Sequence, residues 1–81
     1  MTHRMTLGHE EAYAMISTGK YRHYKGNDYE VIGVATHSET REAMVVYRPL
    51  YGEGALWVRP LAMFMEIVTV GGKEVPRFAR L

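Results

Sequence analysis

Arginines and aromatic residues share one stretch of this 81-residue chain, and side chains of these two kinds can together bind an anionic or aromatic ligand. Residues 21–60 contain five of the six tyrosines, the only tryptophan and four of the seven arginines. Aromatic rings stack on bases, and guanidinium groups bind phosphate or carboxylate through paired hydrogen bonds. The candidate ligand-binding residues are Arg22, His23, Tyr24, Tyr47, Arg48, Tyr51, Trp57 and Arg59.

The same residues also have a structural interpretation, in which they pack the ends of a small β fold. Tyrosines would then fill the core, while arginines stack on Trp57 and pair with nearby carboxylates. Because side chains two apart in a strand share a face, Trp57 lies beside Arg59. Arg22 and Tyr24 are paired in the same way. The sequence leaves open whether this set is a ligand surface or buried packing.

No catalytic, metal-binding or cofactor motif accompanies these residues, and we predict no metal and no cofactor. The four histidines lack the spacing of a metal site, and the chain contains no cysteine. His37, Ser38 and Glu39 are the residue types of a hydrolytic triad, but sequence neighbours rarely converge in the required geometry. A polar loop is predicted there instead. His23 is the exception, because it lies within the aromatic and basic strand and could act as an acid or base.

Composition indicates one small domain covering residues 1–81. A net charge of +1 and a pI near 8.1 argue against nonspecific nucleic-acid binding, since domains of that kind usually have a pI above about 9. The absence of cysteine excludes disulfides, and no apolar run approaches the length of a membrane span. We therefore expect a cytoplasmic protein with no membrane partner.

The chain is predicted to fold as an accessory helix followed by a β barrel. An apolar stripe with helical spacing predicts the helix over residues 9–18, and Gly19 would end it. From residue 21 to residue 78 the pattern changes to five or six short strands joined by tight turns, with one helical turn at 61–64. This spacing favours a mainly β, SH3-like, partly open barrel, and an OB-like barrel is the alternative.

Both faces of the predicted strands are substantially apolar, which makes the inward face hard to assign. Strand alternation leads us to assign four residues to the core: Met44, Val46, Leu56 and Val58. The opposite face then needs a covering helix, a ligand or a second subunit.

Five segments carry a resemblance to a known family: YRHYKGNDYEVIGVA at residues 21–35, HSET at 37–40, VVYRPLYG at 45–52, LWVRPLAMF at 56–64 and VPRF at 75–78. In their order and their residue identities, these segments resemble the small bacterial and phage proteins of the domain of unknown function 1653 family. The resemblance implies a small β-rich fold and no known activity. It also suggests that the eight candidate residues form a surface shared by the family.

These residues allow three hypotheses for function. The first is a noncatalytic binding module that holds an anionic or aromatic ligand, with a nucleotide or a nucleic-acid end as the leading candidates. The second is a homodimeric interaction module whose outer apolar face forms the contact. The third is a small enzyme that uses His23 as acid or base, which requires an enclosed pocket and a perturbed pKa around that ring.

Overall fold

A computed structural model of the chain describes residues 15–81. Within them the fold is mainly β, as predicted, with seven strands and one short helix. The strands are β1 (Gly19–His23), β2 (Asp28–Thr36), β3 (Ala43–Pro49), β4 (Trp57–Pro60), β5 (Ile67–Val70), β6 (Lys73–Pro76) and β7 (Phe78–Arg80), and the helix is α1 (Leu61–Phe64). The accessory helix predicted over residues 9–18 lies mostly outside the described residues.

The strands form two antiparallel sheets, one of five strands in the order β4-β3-β2-β1-β7 and one of two, β5-β6. Strands β4 and β7 are the edges of the larger sheet, so within residues 15–81 it does not close into a barrel. Seven strands replace the five or six predicted, because the chain changes sheets at Arg77. The Arg77 amide donates to the Glu66 carbonyl at 2.8 Å, and the Arg77 carbonyl accepts from the Tyr24 amide at 2.9 Å. These bonds separate β6 from β7.

The helix α1 bridges the two edges of the larger sheet. It begins after Pro60, whose φ of −54° suits the start of a helix, and it buries Leu61 and Phe64 one turn apart. The Phe64 ring stacks on Phe78 of β7 with centroids 4.1 Å apart. It also meets the Tyr21 ring edge-on at 5.5 Å. A single helical turn after β4 therefore reaches β7 through aromatic contacts.

The core occupies one face of the larger sheet, and within residues 15–81 it buries no polar or charged residue. In β3, Val45 and Tyr47 are buried. Met44 and Val46 are only half-buried, so the prediction that these two belong to the core is wrong. The buried residues are Ile16, Tyr21, Tyr29, Val31, Val34, Ala43, Val45, Tyr47, Leu61, Phe64 and Phe78.

The other two predicted core residues, Leu56 and Val58, also lie outside the core. Their side chains are 63% and 59% exposed. The register explains this result, because directly paired residues of antiparallel strands share a face. Buried Tyr47 pairs with Trp57, and Val46 pairs with Val58. Trp57 therefore lies on the core side of β4, and Val58 lies on the outer side.

A β-bulge in β2 keeps the apolar residues of this strand on the core face. Val31 pairs with Tyr47, and Gly33, two residues further along β2, pairs with Val46, the immediate neighbour of Tyr47 in β3. Ile32 is therefore an extra residue in β2, and its side chain is 46% exposed. Both Val31 and Val34 are buried as a result. Since a bulge bends its strand and increases the local twist, the larger sheet curls around the core at this point.

Gly19 begins β1 with a φ of +122°, and a Cβ atom at this position would lie 2.7 Å from the guanidinium of Arg80. An alanine there must adopt a backbone conformation that L-residues rarely take up, and it must displace Arg80 from its hydrogen bond with Ser17. We expect Gly19→Ala to lower the free energy of unfolding by about 1 to 3 kcal/mol, measured by urea denaturation.

Gly26→Ala is the matched control, because Gly26 has a φ of +111° and open space around its Cβ position. The two variants share the backbone strain, and only Gly19→Ala disturbs Arg80. Equal losses of stability in both variants would show that the Arg80 contact contributes nothing.

Candidate functional site

One end of the larger sheet collects most of its aromatic side chains. Pairing places His23 of β1 beside Phe78 of β7, and Tyr47 of β3 beside Trp57 of β4. Tyr29, near the start of β2, packs its ring edge-on against Phe78 at 5.5 Å and Tyr47 at 5.7 Å. We call the following group the aromatic end: His23, Tyr29, Tyr47, Tyr51, Trp57, Arg59 and Phe78.

Arg59 is the arginine of the aromatic end. Its Nε donates a hydrogen bond to the Tyr47 hydroxyl at 3.1 Å, and its guanidinium carbon lies 5.5 Å from the centre of the Phe78 ring. No carboxylate among residues 15–81 forms an ion pair with it. Because the bond to Tyr47 uses only Nε, the two Nη groups stay available to an anionic ligand.

Three other arginines are paired with carboxylates. The pairs are Arg22 with Asp28 at 2.7 Å, Arg48 with Glu30 at 2.7 Å and Arg77 with Glu66 at 2.8 Å. The hydrogen bond from Arg22 lowers the pKa of Asp28, which keeps that carboxylate charged. Exposed ion pairs of this kind contribute little to stability, because solvent screens the attraction. Because each carboxylate cancels the charge of its arginine, these three arginines offer little net positive charge to an anionic ligand.

Trp57 and Tyr51 offer aromatic surface at the rim of this group. They are 44% and 46% exposed, so each ring has a solvent-facing side. The Trp57 ring lies 6.1 Å from Tyr29 and 6.0 Å from Tyr47. The Tyr51 hydroxyl is hydrogen-bonded to the Tyr29 hydroxyl at 3.1 Å. Packing fixes both rings from behind while leaving them open to stacking.

His23 is half-buried and meets the Phe78 ring edge-on at 4.9 Å. Its Nδ1 accepts a hydrogen bond from the Lys25 amide at 3.1 Å, so the neutral ring carries its proton on Nε2. Burial lowers the pKa of this ring, and the positive charges of Arg77, Arg59 and Lys25 lower it further. At neutral pH the ring is therefore an uncharged Nε2–H donor in a positive field.

The structure brings five of the eight predicted ligand-binding residues together at the aromatic end: His23, Tyr47, Tyr51, Trp57 and Arg59. Tyr47 is only 2% exposed, so it can act on a ligand through Arg59 rather than by direct contact. The other three lie elsewhere. Arg22 and Tyr24 line a separate groove, and Arg48 projects from the outer side of β3.

Sequence reasoning missed Tyr29 and Phe78, which join the members of this group. Tyr29 lies between Asp28 and Glu30, and a residue flanked by two carboxylates is typical of a solvated strand edge. Its alternation with Val31 was the available signal of burial. Phe78 had no comparable signal, because its position in the core depends on the pairing of β7 with β1.

The separate groove has a volume of about 630 Å³ and mainly apolar walls. It is lined by β1, β7 and the hairpin of β5 and β6, with Arg22, Tyr24, Val75 and Leu81 among its lining residues. Its volume is that of many small-molecule sites. His23 borders this groove as well as the aromatic end.

Neither a metal site nor a membrane-spanning helix is found in the part of the chain that the structure describes. No three histidines or carboxylates are grouped so that they could hold a metal ion. No helix combines the length and the apolar character needed to cross a bilayer.

The sequence pattern of a protein family of unknown function, DUF1653, matches residues 19–80 of the chain. The chain belongs to the DUF1653 family. The crystal structure of a DUF1653 protein from Bordetella bronchiseptica is 40% identical in sequence and superposes with a TM-score of 0.75. The match covers 82% of this chain and 87% of that one. No match is found among curated proteins. The predicted resemblance to the family is therefore confirmed.

The titration of Tyr29 offers a test of packing at the aromatic end of this DUF1653 domain. Burial raises the pKa of Tyr29 to about 12, and the hydrogen bond with Tyr51 adds to this effect. Because an ordinary tyrosine ionises near pH 10, the stabilisation due to Tyr29 is complete below that pH and is lost as the pH rises through about 12. We expect ultraviolet absorbance to show a late-titrating tyrosine that Tyr29→Phe removes. A titration unchanged by that substitution would contradict the prediction.

Proposed function

We propose that this domain is a noncatalytic binding module that holds an anionic or aromatic ligand, such as a nucleotide or a nucleic-acid end, at the aromatic end. The observation that carries the proposal is Arg59. It is oriented by Tyr47 and Phe78, and no described carboxylate pairs with it. A guanidinium fixed at Nε and open at both Nη groups suits an anionic ligand group.

The neighbouring rings supply the second element of recognition. Trp57 shares a strand face with Arg59, and Tyr51 lies in the loop before β4 with its hydroxyl held by Tyr29. A base stacked on Trp57 or Tyr51 would bring an attached phosphate within reach of the arginine. Stacking on an aromatic side chain contributes about 1 to 3 kcal/mol per base, which is enough to matter for a weak site.

Trp57 also reports on ligand binding. We expect adenosine 5′-monophosphate to quench its fluorescence saturably and to shift the amide resonances of the aromatic end. Arg59→Gln is expected to weaken binding at least tenfold, because it removes the charge and the Nη donors.

Arg48→Gln is the matched control, since Arg48 is an arginine of a neighbouring strand that projects from the outer side and pairs with Glu30. This variant should bind as the parent does. The proposal fails if nucleotides and short oligonucleotides leave Trp57 and its neighbours unperturbed. It also fails if the two variants lose equal affinity.

We extend the proposal to the type of fold and to the location of the protein. The five-stranded antiparallel order β7-β1-β2-β3-β4, with a helical turn directly after β4, supports a small, SH3-like, partly open barrel. The absence of cysteine from all 81 residues supports a reducing, cytoplasmic environment.

A homodimeric interaction module is the second candidate, and exposed apolar side chains favour it. Leu56, Val58 and Ile67 are each more than half exposed. Residues of this kind can form a contact between two copies of the chain. Sedimentation equilibrium decides the question, and a monomer at tens of micromolar would exclude an obligate dimer.

A small enzyme that uses His23 remains the third candidate, favoured by the position of this residue beside the 630 Å³ groove and by its lowered pKa. A His23 titration curve followed by NMR tests the electrostatic part. The folded state loses stability as the pH falls through the lowered pKa of His23, because only the folded state disfavours the charged ring. An unshifted pKa would remove the basis for this candidate.

A further inference from the structure

The charges around the aromatic end limit how many anionic groups it can bind. Arg59 is the cation within the group, and Lys25 lies at the rim with its ammonium 5.9 Å from the centre of the Tyr24 ring. Arg22, Arg48 and Arg77 are each paired with a carboxylate. The described surface next to Arg59 therefore lacks a row of unpaired cations.

The carboxylates nearest the aromatic end leave little positive charge for a longer nucleic-acid strand. Asp28 and Glu30 lie on the outer side of β2, where they neutralise Arg22 and Arg48, and Glu53 is exposed in the same loop as Tyr51. A second or third phosphate that leaves Arg59 toward β2 or toward this loop would therefore meet neutralised ion pairs or the charge of Glu53. Proteins that follow a strand need a continuous positive groove, and this domain has a net charge of only +1.

We infer that the ligand of the aromatic end is a planar aromatic group carrying one anionic group, of the nucleoside monophosphate class. A longer nucleic-acid strand would then bind with the same affinity as its terminal nucleotide alone. This inference rests on the proposed function, since it names the class of ligand that the same site takes. Trp57 or Tyr51 stacks on the ring, and the Nη groups of Arg59 hold the anionic group.

Chain length and salt dependence test the inference with defined probes. The probes are adenosine, adenosine 5′-monophosphate, and 5′-phosphorylated oligodeoxyadenylates of three and ten nucleotides. The monophosphate should bind at least tenfold more tightly than adenosine and as tightly as either oligonucleotide. For the ten-nucleotide probe, the logarithm of the association constant should fall with the logarithm of the salt concentration with a slope of about −0.7, the value for one phosphate contact on a single strand. Arg59→Gln should abolish this slope, and Arg48→Gln should leave it unchanged.

The outcomes separate the inference from the proposed function. Affinity that rises with strand length, together with a slope steeper than about −2, would overturn the single-anion inference and leave a nucleic-acid binding module. Binding of the monophosphate that survives Arg59→Gln would also overturn the inference. Absence of binding by all four probes would overturn the nucleotide version of the proposed function and the inference with it.

Discussion

Replacing Phe64 with alanine is expected to lower the free energy of unfolding by about 3 to 5 kcal/mol, the largest loss that we expect from a deletion of side-chain atoms in this domain. Phe64 is 1% exposed, and its ring stacks on Phe78 and meets Tyr21 and Tyr47 edge-on. The substitution removes apolar burial and opens a cavity between α1 and the sheet. Small domains have total stabilities of only about 5 to 15 kcal/mol, so a large part would be lost.

Urea denaturation followed by Trp57 fluorescence measures this change. Phe64→Leu is the control, because it retains most of the buried volume and loses only the aromatic contacts. We expect the leucine variant to stay folded and to lose less than half as much stability. An alanine variant within 1 kcal/mol of the parent would mean that α1 does not hold the two edges of the sheet together.

The second large effect is expected from a charge placed in the core at β3. Val45 is completely buried, so Val45→Asp must either bury an unpaired carboxylate or unfold the strand, and we expect a loss of more than about 4 kcal/mol. Val46→Asp changes the next residue, which points to the outer side and is half-buried. Its expected cost is about 1 kcal/mol, the size of an ordinary strand-preference effect.

This pair of variants distinguishes the two possible faces of the larger sheet. Circular dichroism and urea denaturation on both variants give the comparison. If Val46→Asp lowers the free energy of unfolding more than Val45→Asp does, the face that contains Val45 and Tyr47 is not the core. The assignment of Tyr47 and Trp57 to the aromatic end would then be wrong as well.

The positions of the strands could be predicted from the sequence more readily than the direction in which they face. Gly26-Asn27 and Gly71-Gly72 are dipeptides typical of hairpin turns, and the structure has the β1–β2 and β5–β6 hairpins at these two positions. The inward face of β3 and β4 was predicted wrongly. Both faces carry apolar side chains, and only the pairing of Tyr47 with Trp57 decides between them.

The candidate site was predictable in its residue types and not in its geometry. Arg59 and Trp57 stood out because guanidinium and indole groups suit anionic and aromatic ligands. The hydrogen bond from Arg59 to Tyr47 depends on the register across the loop between β3 and β4, which alternation within one strand cannot reveal. The neutralisation of Arg48 by Glu30 likewise depends on a pairing between strands.

Ile32 gives β2 one residue more than its pairing with β3 requires. A chain without it would still direct Val31 and Val34 to the same side, because simple alternation would then do what the bulge now does. The composition of the core is thus insensitive to this residue, whereas the bend of β2 depends on it. The bend of β2 influences the distance between β4 and β7, and therefore the distance between the Arg59 guanidinium on β4 and the Phe78 ring on β7. A one-residue change in the length of β2 at this point would therefore alter the spacing of Arg59 and Phe78 while leaving the same side chains in the core.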